Sequence, residues 1–141
     1  CGTALLAILA AKMGAAKVYG IDIDAVAAQS AYDNARLNRV GTRVEIHCGD
    51  ASLLQSGSYD VLLANIHRNI ILTDLRTYAG SLRGGGLLFL SGFYDSDVED
   101  ILSEAGKFGL EMTGRRSRDG WACIVLRLGA VSSIRTVLGN R

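Results

Sequence analysis

The sequence contains no proline and no long uninterrupted apolar run. Average usage of about 5% would give roughly seven prolines in a chain of this length, and their absence mainly loosens turns. Apolar residues make up 49% of the chain, yet charges or glycines break every run before the ~20 residues that a membrane helix requires. These absences favour one soluble globular domain, which 141 residues are enough to build around a core of its own.

Cysteine is also scarce, with three residues at positions 1, 48 and 123. An odd number without any Cys-x-x-Cys pair argues against a disulfide framework and against a zinc site. His47 lies in an alternating stretch without metal-ligand spacing, so we expect no metal. Because no signal peptide is visible either, a reduced cytoplasmic setting fits best. The chain starts at Cys1 rather than at a methionine, and we expect coding sequence upstream.

Charge is divided unevenly along the chain, although the total is only +1. Residues 1–114 hold nine basic and thirteen acidic side chains, a net charge of −4, whereas residues 115–141 hold six arginines and one aspartate, a net charge of +5. The acidic body would not repel a basic substrate. The basic end could contact RNA, although a solvated tail explains it equally simply.

The stretch from Cys1 to Asp22 has the spacing of a nucleotide-binding turn. Cys1-Gly2-Thr3 precedes an apolar helix predicted over 4–13, and a short strand over 17–21 leads to Asp22. In a doubly wound sheet such a glycine turn lets the backbone approach the ligand, and the acidic residue takes the ribose hydroxyls. The strand that should precede the turn is missing from the chain, so we expect two unpaired strand edges.

Asp24 competes with Asp22 for the ribose role. It stands where an N-cap belongs, before a helix predicted over 25–38. A carboxylate has two acceptor oxygens for two hydroxyls, which either residue could offer. We assign the ribose to Asp22 and the cap to Asp24.

Strands and helices alternate through the middle of the chain, which predicts a parallel α/β sheet. We predict strands over 44–48, 59–64 and 87–90, a helix over 70–82 that the run Gly84-Gly85-Gly86 breaks, and a helix capped by Ser96 and Glu99 that stops near Gly109. The last two strands, over 110–116 and 121–128, are joined by Asp119-Gly120, a hairpin signal. They must therefore be antiparallel, an ending associated with AdoMet-dependent methyltransferases rather than with dinucleotide dehydrogenases.

The motifs taken in order resemble one family, the bacterial methyltransferases that modify large-subunit ribosomal protein eleven, over residues 1 to about 128. The resemblance rests on Cys1-Gly2-Thr3, Gly20-Ile21-Asp22-Ile23-Asp24, Leu63-Ala64-Asn65-Ile66, Leu87-Leu88-Phe89-Leu90-Ser91-Gly92 and Gly120-Trp121-Ala122. The chain departs from the family pattern where Ala4 replaces the third glycine of the turn, where Ala25 replaces a proline, and where Arg83-Gly84-Gly85-Gly86 replaces Lys-Pro-Gly-Gly.

The resemblance implies a Rossmann-like class I AdoMet methyltransferase fold, with a doubly wound, mostly parallel sheet, an antiparallel C-terminal hairpin and no first strand in this chain. Residues 1–128 would be a partial catalytic domain, and 129–141 a tail of unknown role. The implied cofactor is S-adenosyl-L-methionine. The implied reaction is methylation of lysine side chains and the α-amine of a ribosomal protein, with no membrane or metal involved and no nucleic acid as direct substrate.

The same resemblance implies where the cofactor binds: Gly2, Thr3, Asp22, Ile23, Asp50, Ala51 and Asn65. Asn65 is also the candidate catalytic residue, because its amide can both accept from and donate to an amine. An Asx-turn at Asp50 and a plain chain reversal at Asn65 are the simpler structural interpretations.

Three aromatic residues, Phe93, Tyr94 and Trp121, could line an acceptor channel, but packing explains them equally well. His67 invites a general-base role, although methyl transfer does not strictly need a protein base.

Three other functions stay open at this point. The chain could be a methyltransferase of the same fold acting on RNA or on a small molecule. It could be a nicotinamide-dependent oxidoreductase, which the terminal hairpin and the lack of a Tyr-x-x-x-Lys pair disfavour. It could also be a non-catalytic binding fragment.

Overall fold

A computed structural model describes residues 1–130 of the protein. The segment predicted as a tail lies outside the described residues from position 131 onward. In chain order the elements are α1 (Leu5–Lys12), β1 (Val18–Asp22), α2 (Ala25–Leu37), β2 (Val44–Cys48), a 3-10 turn (Ala51–Leu53), β3 (Tyr59–Asn65), α3 (Arg68–Ser81), β4 (Leu82–Tyr94), a second 3-10 turn (Asp95–Asp97), α4 (Val98–Gly106), β5 (Leu110–Arg118) and β6 (Trp121–Leu128).

The chain divides into two compact units, which meet in sequence between Leu53 and Leu54. The first unit contains a parallel pair, β1 and β2, in which Asp22 lies opposite Cys48. The amide of Gly49 continues the pairing by donating to the Asp22 carbonyl at 2.8 Å. The carboxyl ends of both strands therefore lie side by side, which brings Asp22 and the segment after β2 to one edge.

The second unit contains a four-stranded sheet in the order β3-β4-β6-β5. β3 and β4 are parallel, whereas β6 is antiparallel to both of its neighbours. The predicted hairpin is confirmed, with Asp119 and Gly120 at φ +53° and +80° between the paired residues Arg118 and Trp121. Both positive angles are those of the tight turn that Asp-Gly favours.

The glycine run at 84–86 does not lie where the sequence prediction put it. α3 ends at Ser81, before the run, and the glycines belong to β4. Tyr59 pairs with Leu82 and Val61 with Leu87, so β4 advances five residues while β3 advances two. The run is thus a bulge inside a strand, which glycine permits because Gly85 has φ +79°.

Each unit has its own core, and the two cores differ in the size of their side chains. The first consists mostly of alanine, with Ala4, Ala7, Ile8, Ala11, Ala31, Ala35, Val40 and Val44 buried together. The second buries larger residues, including Ile71, Leu75, Leu88, Leu90, Phe93, Val98, Ile101, Ile124 and Leu126. Small side chains let helices approach a two-stranded sheet closely, whereas the larger set fills the space between α3, α4 and one face of four strands.

Two helix ends differ from prediction. α2, predicted to end at residue 38, ends at Leu37 and is closed by Arg39 at φ +60°; the Arg39 amide donates to the Arg36 carbonyl and the Val40 amide to the Ala35 carbonyl, both at 3.0 Å. This is a Schellman closure with an arginine in the position that glycine favours. α4 has Asp97 as its N-cap residue, so the predicted pairing of Ser96 with Glu99 is wrong. Ser96 lies instead in the preceding 3-10 turn.

Candidate functional site

The Gly2 turn starts α1 without a side-chain cap. Gly2 has φ +54°, and a Cβ added there would meet no heavy atom within 4 Å. Ala4, the N-cap residue, is also left-handed at φ +65° and completely buried. Left-handed backbone costs an alanine about 1 kcal/mol that a glycine avoids. The replacement of the third glycine by alanine therefore keeps the turn's shape and adds local strain.

The Asp22 carboxylate is joined to this turn by short hydrogen bonds. Its Oδ2 accepts from the Cys1 amino group at 2.8 Å and from the Gly2 amide at 2.7 Å, while Oδ1 accepts from the Asp24 amide at 2.9 Å. These donors, the Cys1 nitrogen foremost and then the Gly2 and Asp24 amides, lower the pKa of Asp22. The side chain is only 16% exposed. The structure thus brings Gly2 and Asp22 together, as their sequence spacing suggested.

Two other aspartates of this unit, Asp24 and Asp50, are bound to their own local backbone. Asp24 Oδ1 accepts from the amides of Val26 and Ala27 at 2.8 and 3.2 Å, which confirms it as the cap of α2. Asp50 accepts from the amide and hydroxyl of Ser52 at 2.9 and 2.5 Å, forming the Asx-turn considered above. The hydroxyl, and then the amide, hold the pKa of Asp50 below its ordinary value. Ala51 follows as the first residue of the 3-10 turn.

One polar contact of the glycine turn had not been predicted. The side-chain amide of Asn34, on α2, donates to the Thr3 carbonyl at 3.1 Å. No local pattern could have identified it, since 31 positions separate the partners. Ile23, the other residue expected at the cofactor, follows β1 with its side chain 79% exposed. The turn is therefore held from α2 as well as from Asp22.

In the second unit, Asn65 is the last residue of β3 and lies opposite Ser91 of β4. The next amide, that of Ile66, donates to the Ser91 carbonyl at 2.9 Å. Gly92 follows at φ +95°, and a Cβ there would come within 2.6 Å of Asn65 Oδ1 and 2.9 Å of both Ile66 N and Ile66 O. Only glycine lets the end of β4 pass so close to Asn65.

We call this close approach of Gly92 to Asn65 the Asn65–Gly92 crossing. A groove of about 400 Å³ lies beside it. It is lined by His67, Arg68, Asn69, Gly92, Phe93, Tyr94, Asp97 and Trp121. The rings of Tyr94 and Trp121 lie 4.4 Å apart, and both side chains are about half exposed, whereas Phe93 is buried. Two of the three predicted aromatics thus present surface to the groove, and the third supports it from the core.

Residues 1–130 contain neither a cluster of potential metal ligands nor a helix that could span a membrane. No group of three His, Cys, Asp or Glu side chains in this part of the chain is arranged to hold a metal ion. Among the helices described there, none is long and apolar enough to cross a membrane.

The family model described as "Ribosomal protein L11 methyltransferase (PrmA)" matches residues 1–128. The chain belongs to the ribosomal protein L11 methyltransferase family. Its curated relatives include the ribosomal protein L11 methyltransferases of Porphyromonas gingivalis and Bacteroides fragilis, at 43% and 42% identity over 125 residues. The match covers 88% of this chain but only 43% and 44% of those relatives, so the chain spans less than half of their length. The family predicted from the motifs is confirmed.

Solved structures related to this family share the fold. The ribosomal protein L11 methylase of Lactobacillus delbrueckii subsp. bulgaricus superposes with a TM-score of 0.85 at 22% identity, covering 91% of this chain and 66% of the other. An RNA methyltransferase of Salinibacter ruber, in complex with S-adenosyl-L-homocysteine, gives a TM-score of 0.74 at 18% identity, covering 91% and 76%. The Rossmann-like class I methyltransferase fold is thereby confirmed.

Proposed function

We propose that this chain binds S-adenosyl-L-methionine and transfers its methyl group to an amine of a ribosomal protein. The observation that carries the proposal is the family match over residues 1–128, which includes both the Gly2–Asp22 turn and the Asn65–Gly92 crossing. The proposed catalytic domain keeps the bounds 1–128. The nicotinamide alternative loses its support, because it rested on the glycine turn and acidic residue alone.

The residues of the first unit suit this cofactor. Open space over Gly2 admits a ligand against bare backbone. The Asp22 carboxylate has about four acceptor positions and uses three of them, two on Oδ2 and one on Oδ1, which leaves capacity for a ribose hydroxyl. The exposed side chain of Ile23 offers apolar surface to a purine, and we place the adenine edge at Asp50 and Ala51.

When bound, S-adenosyl-L-methionine supplies a methyl group on a positively charged sulfur. The chain must then present a neutral amine, whereas the lysine side chain has an ordinary pKa of about 10.4. Asn65 Oδ1 can accept from one amine N–H and so direct the nitrogen lone pair toward the methyl carbon. The apolar surface of the Tyr94 and Trp121 rings would favour the neutral amine over the charged one. The proton leaves to water, and positioning supplies most of the acceleration.

The acceptor we propose is ribosomal protein L11, at lysine side chains and the α-amine, because the curated relatives carry that name. The acidic charge of residues 1–114 would not repel a basic protein. Such a substrate would be met in the cytoplasm, where ribosomes are assembled. RNA is the competing acceptor, and nothing in the groove singles out a base or a phosphate.

The test uses the native gene product. Titration calorimetry should show binding of S-adenosyl-L-methionine and none of NADH. With the labelled methyl donor, label should enter isolated ribosomal protein L11 and not total RNA. Label in RNA alone would indicate a nucleic-acid methyltransferase instead. NADH binding without binding of the methyl donor would contradict the cofactor assignment.

A further inference from the structure

Arg68 is the first residue of α3 and stands three positions after Asn65. Its guanidinium has polar partners on three sides. One terminal nitrogen donates to Asn69 Oδ1 at 3.0 Å and the other to Asp100 Oδ2 at 2.5 Å. The third nitrogen, Nε, lies 3.6 Å from Asp97 Oδ1. The planar guanidinium spreads five N–H donors over three nitrogens in a fixed geometry, whereas the donors of a lysine all leave one nitrogen.

These partners connect the segment after Asn65 to the opposite wall of the groove. Asp97 also accepts, through Oδ2, from the Tyr94 amide at 3.0 Å, so one carboxylate holds both Arg68 and the end of β4. Asp100 lies in the first turn of α4. Arg68, Tyr94 and Asp97 all line the groove. The guanidinium therefore fixes where α3 begins relative to β4 and α4, within one unit.

Stability alone does not account for this arrangement. The side chains of Arg68, Asp97 and Asp100 are 34%, 23% and 61% exposed, and ion pairs so accessible to water contribute little to folding. Their geometric effect is larger, because the connection from Asn65 to Arg68 is only two residues long. The end of this connection is held by the guanidinium, and its start is held by the Ile66 amide on Ser91.

We propose that Arg68 is a positioning residue for methyl transfer, which sets the place of Asn65 by anchoring the start of α3 to Asp97 and Asp100. The inference rests on the proposed function, since it assumes that Asn65 orients the acceptor amine. Arg68 does not touch the reacting atoms. Its loss should therefore lower kcat strongly, whereas the affinity for the methyl donor should change little, because six of the seven residues expected to bind it lie in the first unit.

The experiment compares Arg68→Gln, Arg68→Lys and Arg83→Gln in the native gene product. Arg83 is the matched control, because it is an exposed arginine of the same unit paired with Asp60 at 3.0 Å and lies outside the groove lining. We expect Arg68→Gln to lower kcat by about 30- to 100-fold, since a misplacement near 1 Å has that effect. Arg68→Lys should lower it by roughly 5- to 10-fold, because charge remains and the fork is lost. The control should stay within about twofold of wild type.

Two further measurements separate positioning from unfolding. The dissociation constant of S-adenosyl-L-methionine should change less than about threefold in all three variants, and Tm should fall by no more than about 5 °C. Asp97→Asn combined with Arg68→Gln should lower kcat less than the product of the single effects. An Arg68→Gln enzyme with wild-type kcat, or one that loses donor affinity as strongly as kcat, would overturn the inference. A native protein without methyl transfer would instead overturn the proposed function.

Discussion

The two units hold their candidate site residues in different ways. In the first, Asp24 and Asp50 each bind backbone two or three residues ahead, and Asp22 binds the Asp24 amide in the same manner. In the second, the place of Asn65 depends on β4 through Ser91 and Gly92, which are 26 and 27 positions away. Local hydrogen bonds make Asp24 and Asp50 tolerant of change elsewhere, whereas Asp22 also accepts from Cys1 and Gly2, which are 21 and 20 positions away. The second set depends on close packing between strands and helices.

Gly92→Ala is the change that should damage the second unit most. The added methyl would lie 2.9 Å from Ile66 N and Ile66 O, which are backbone atoms, at a φ of +95° that alanine resists. We expect methyl transfer to fall by about 100-fold or more. Steady-state kinetics with the labelled donor measures the loss.

Gly106→Ala is the control for that variant. A Cβ on this last residue of α4 would meet nothing within 4 Å, so activity should be unchanged and stability should rise by roughly 0.5 kcal/mol. Equal losses in both variants would mean that the close approach at Gly92 has no special role.

Paired substitutions in the first unit test its division of labour. Asp22→Ala should weaken donor binding by about 10- to 100-fold, because a charged acceptor of the ribose hydroxyls is lost. Asp24→Ala should leave affinity nearly unchanged and cost about 1 kcal/mol of unfolding free energy, as the loss of a helix cap does. Calorimetry and urea denaturation check the two effects, and the opposite pattern would exchange the roles of the residues.

Acid denaturation should show the tie between Asp22 and the glycine turn. The Cys1 nitrogen, and then the Gly2 and Asp24 amides, hold the pKa of Asp22 in the folded chain below its unfolded value of about 3.9. Its contribution is therefore fully present above about pH 4 and is lost as the pH falls toward 2. Asp22→Asn should flatten the pH dependence of Tm in this window. A variant with the same acid slope as wild type would show that the carboxylate is not bound as described.

The smallest expected effect concerns backbone strain. Arg39 closes α2 at φ +60° with its side chain exposed, and glycine adopts this conformation without a steric penalty. Arg39→Gly should raise the unfolding free energy by up to about 1 kcal/mol. Chemical denaturation measures the gain, and an unchanged midpoint would mean that unfolded-chain entropy cancels it. Activity should not change, since Arg39 contacts no candidate site residue.

Sequence reasoning succeeded where structure is locally determined. The Asp24 cap, the Asp119-Gly120 turn and the antiparallel hairpin follow from short patterns and are all confirmed. It failed at the 84–86 bulge, because a glycine run looks the same whether it ends a helix or bends a strand. It also named the wrong N-cap for α4. The N-cap residue is Asp97, whose carboxylate accepts from the Tyr94 amide, and not Ser96.

The contacts of Arg68 and Asn34 could not be predicted at all. Arg68 reaches Asp100 across 32 positions and Asn34 reaches Thr3 across 31, so neither partner is visible in a local window. The roles assigned to Asn65, Asp50 and the other candidate residues remain predictions. The fold gives a physical reason for their positions. The clearest case is Gly92, whose missing side chain leaves room for Asn65.

The position of β5 at the rim of its sheet has a consequence for association between molecules. Among residues 1–130, β6 is the one strand that pairs with this nine-residue strand, so one row of its backbone groups faces away from the described sheet and could template another strand. Arg115, Arg116 and Arg118 place positive charge on that strand, two of them paired with aspartates, and a register shift between Met112 and Gly114 breaks its straight edge. Like charges repel a second copy approaching edge to edge. The arginines should thus disfavour edge-to-edge association of two molecules.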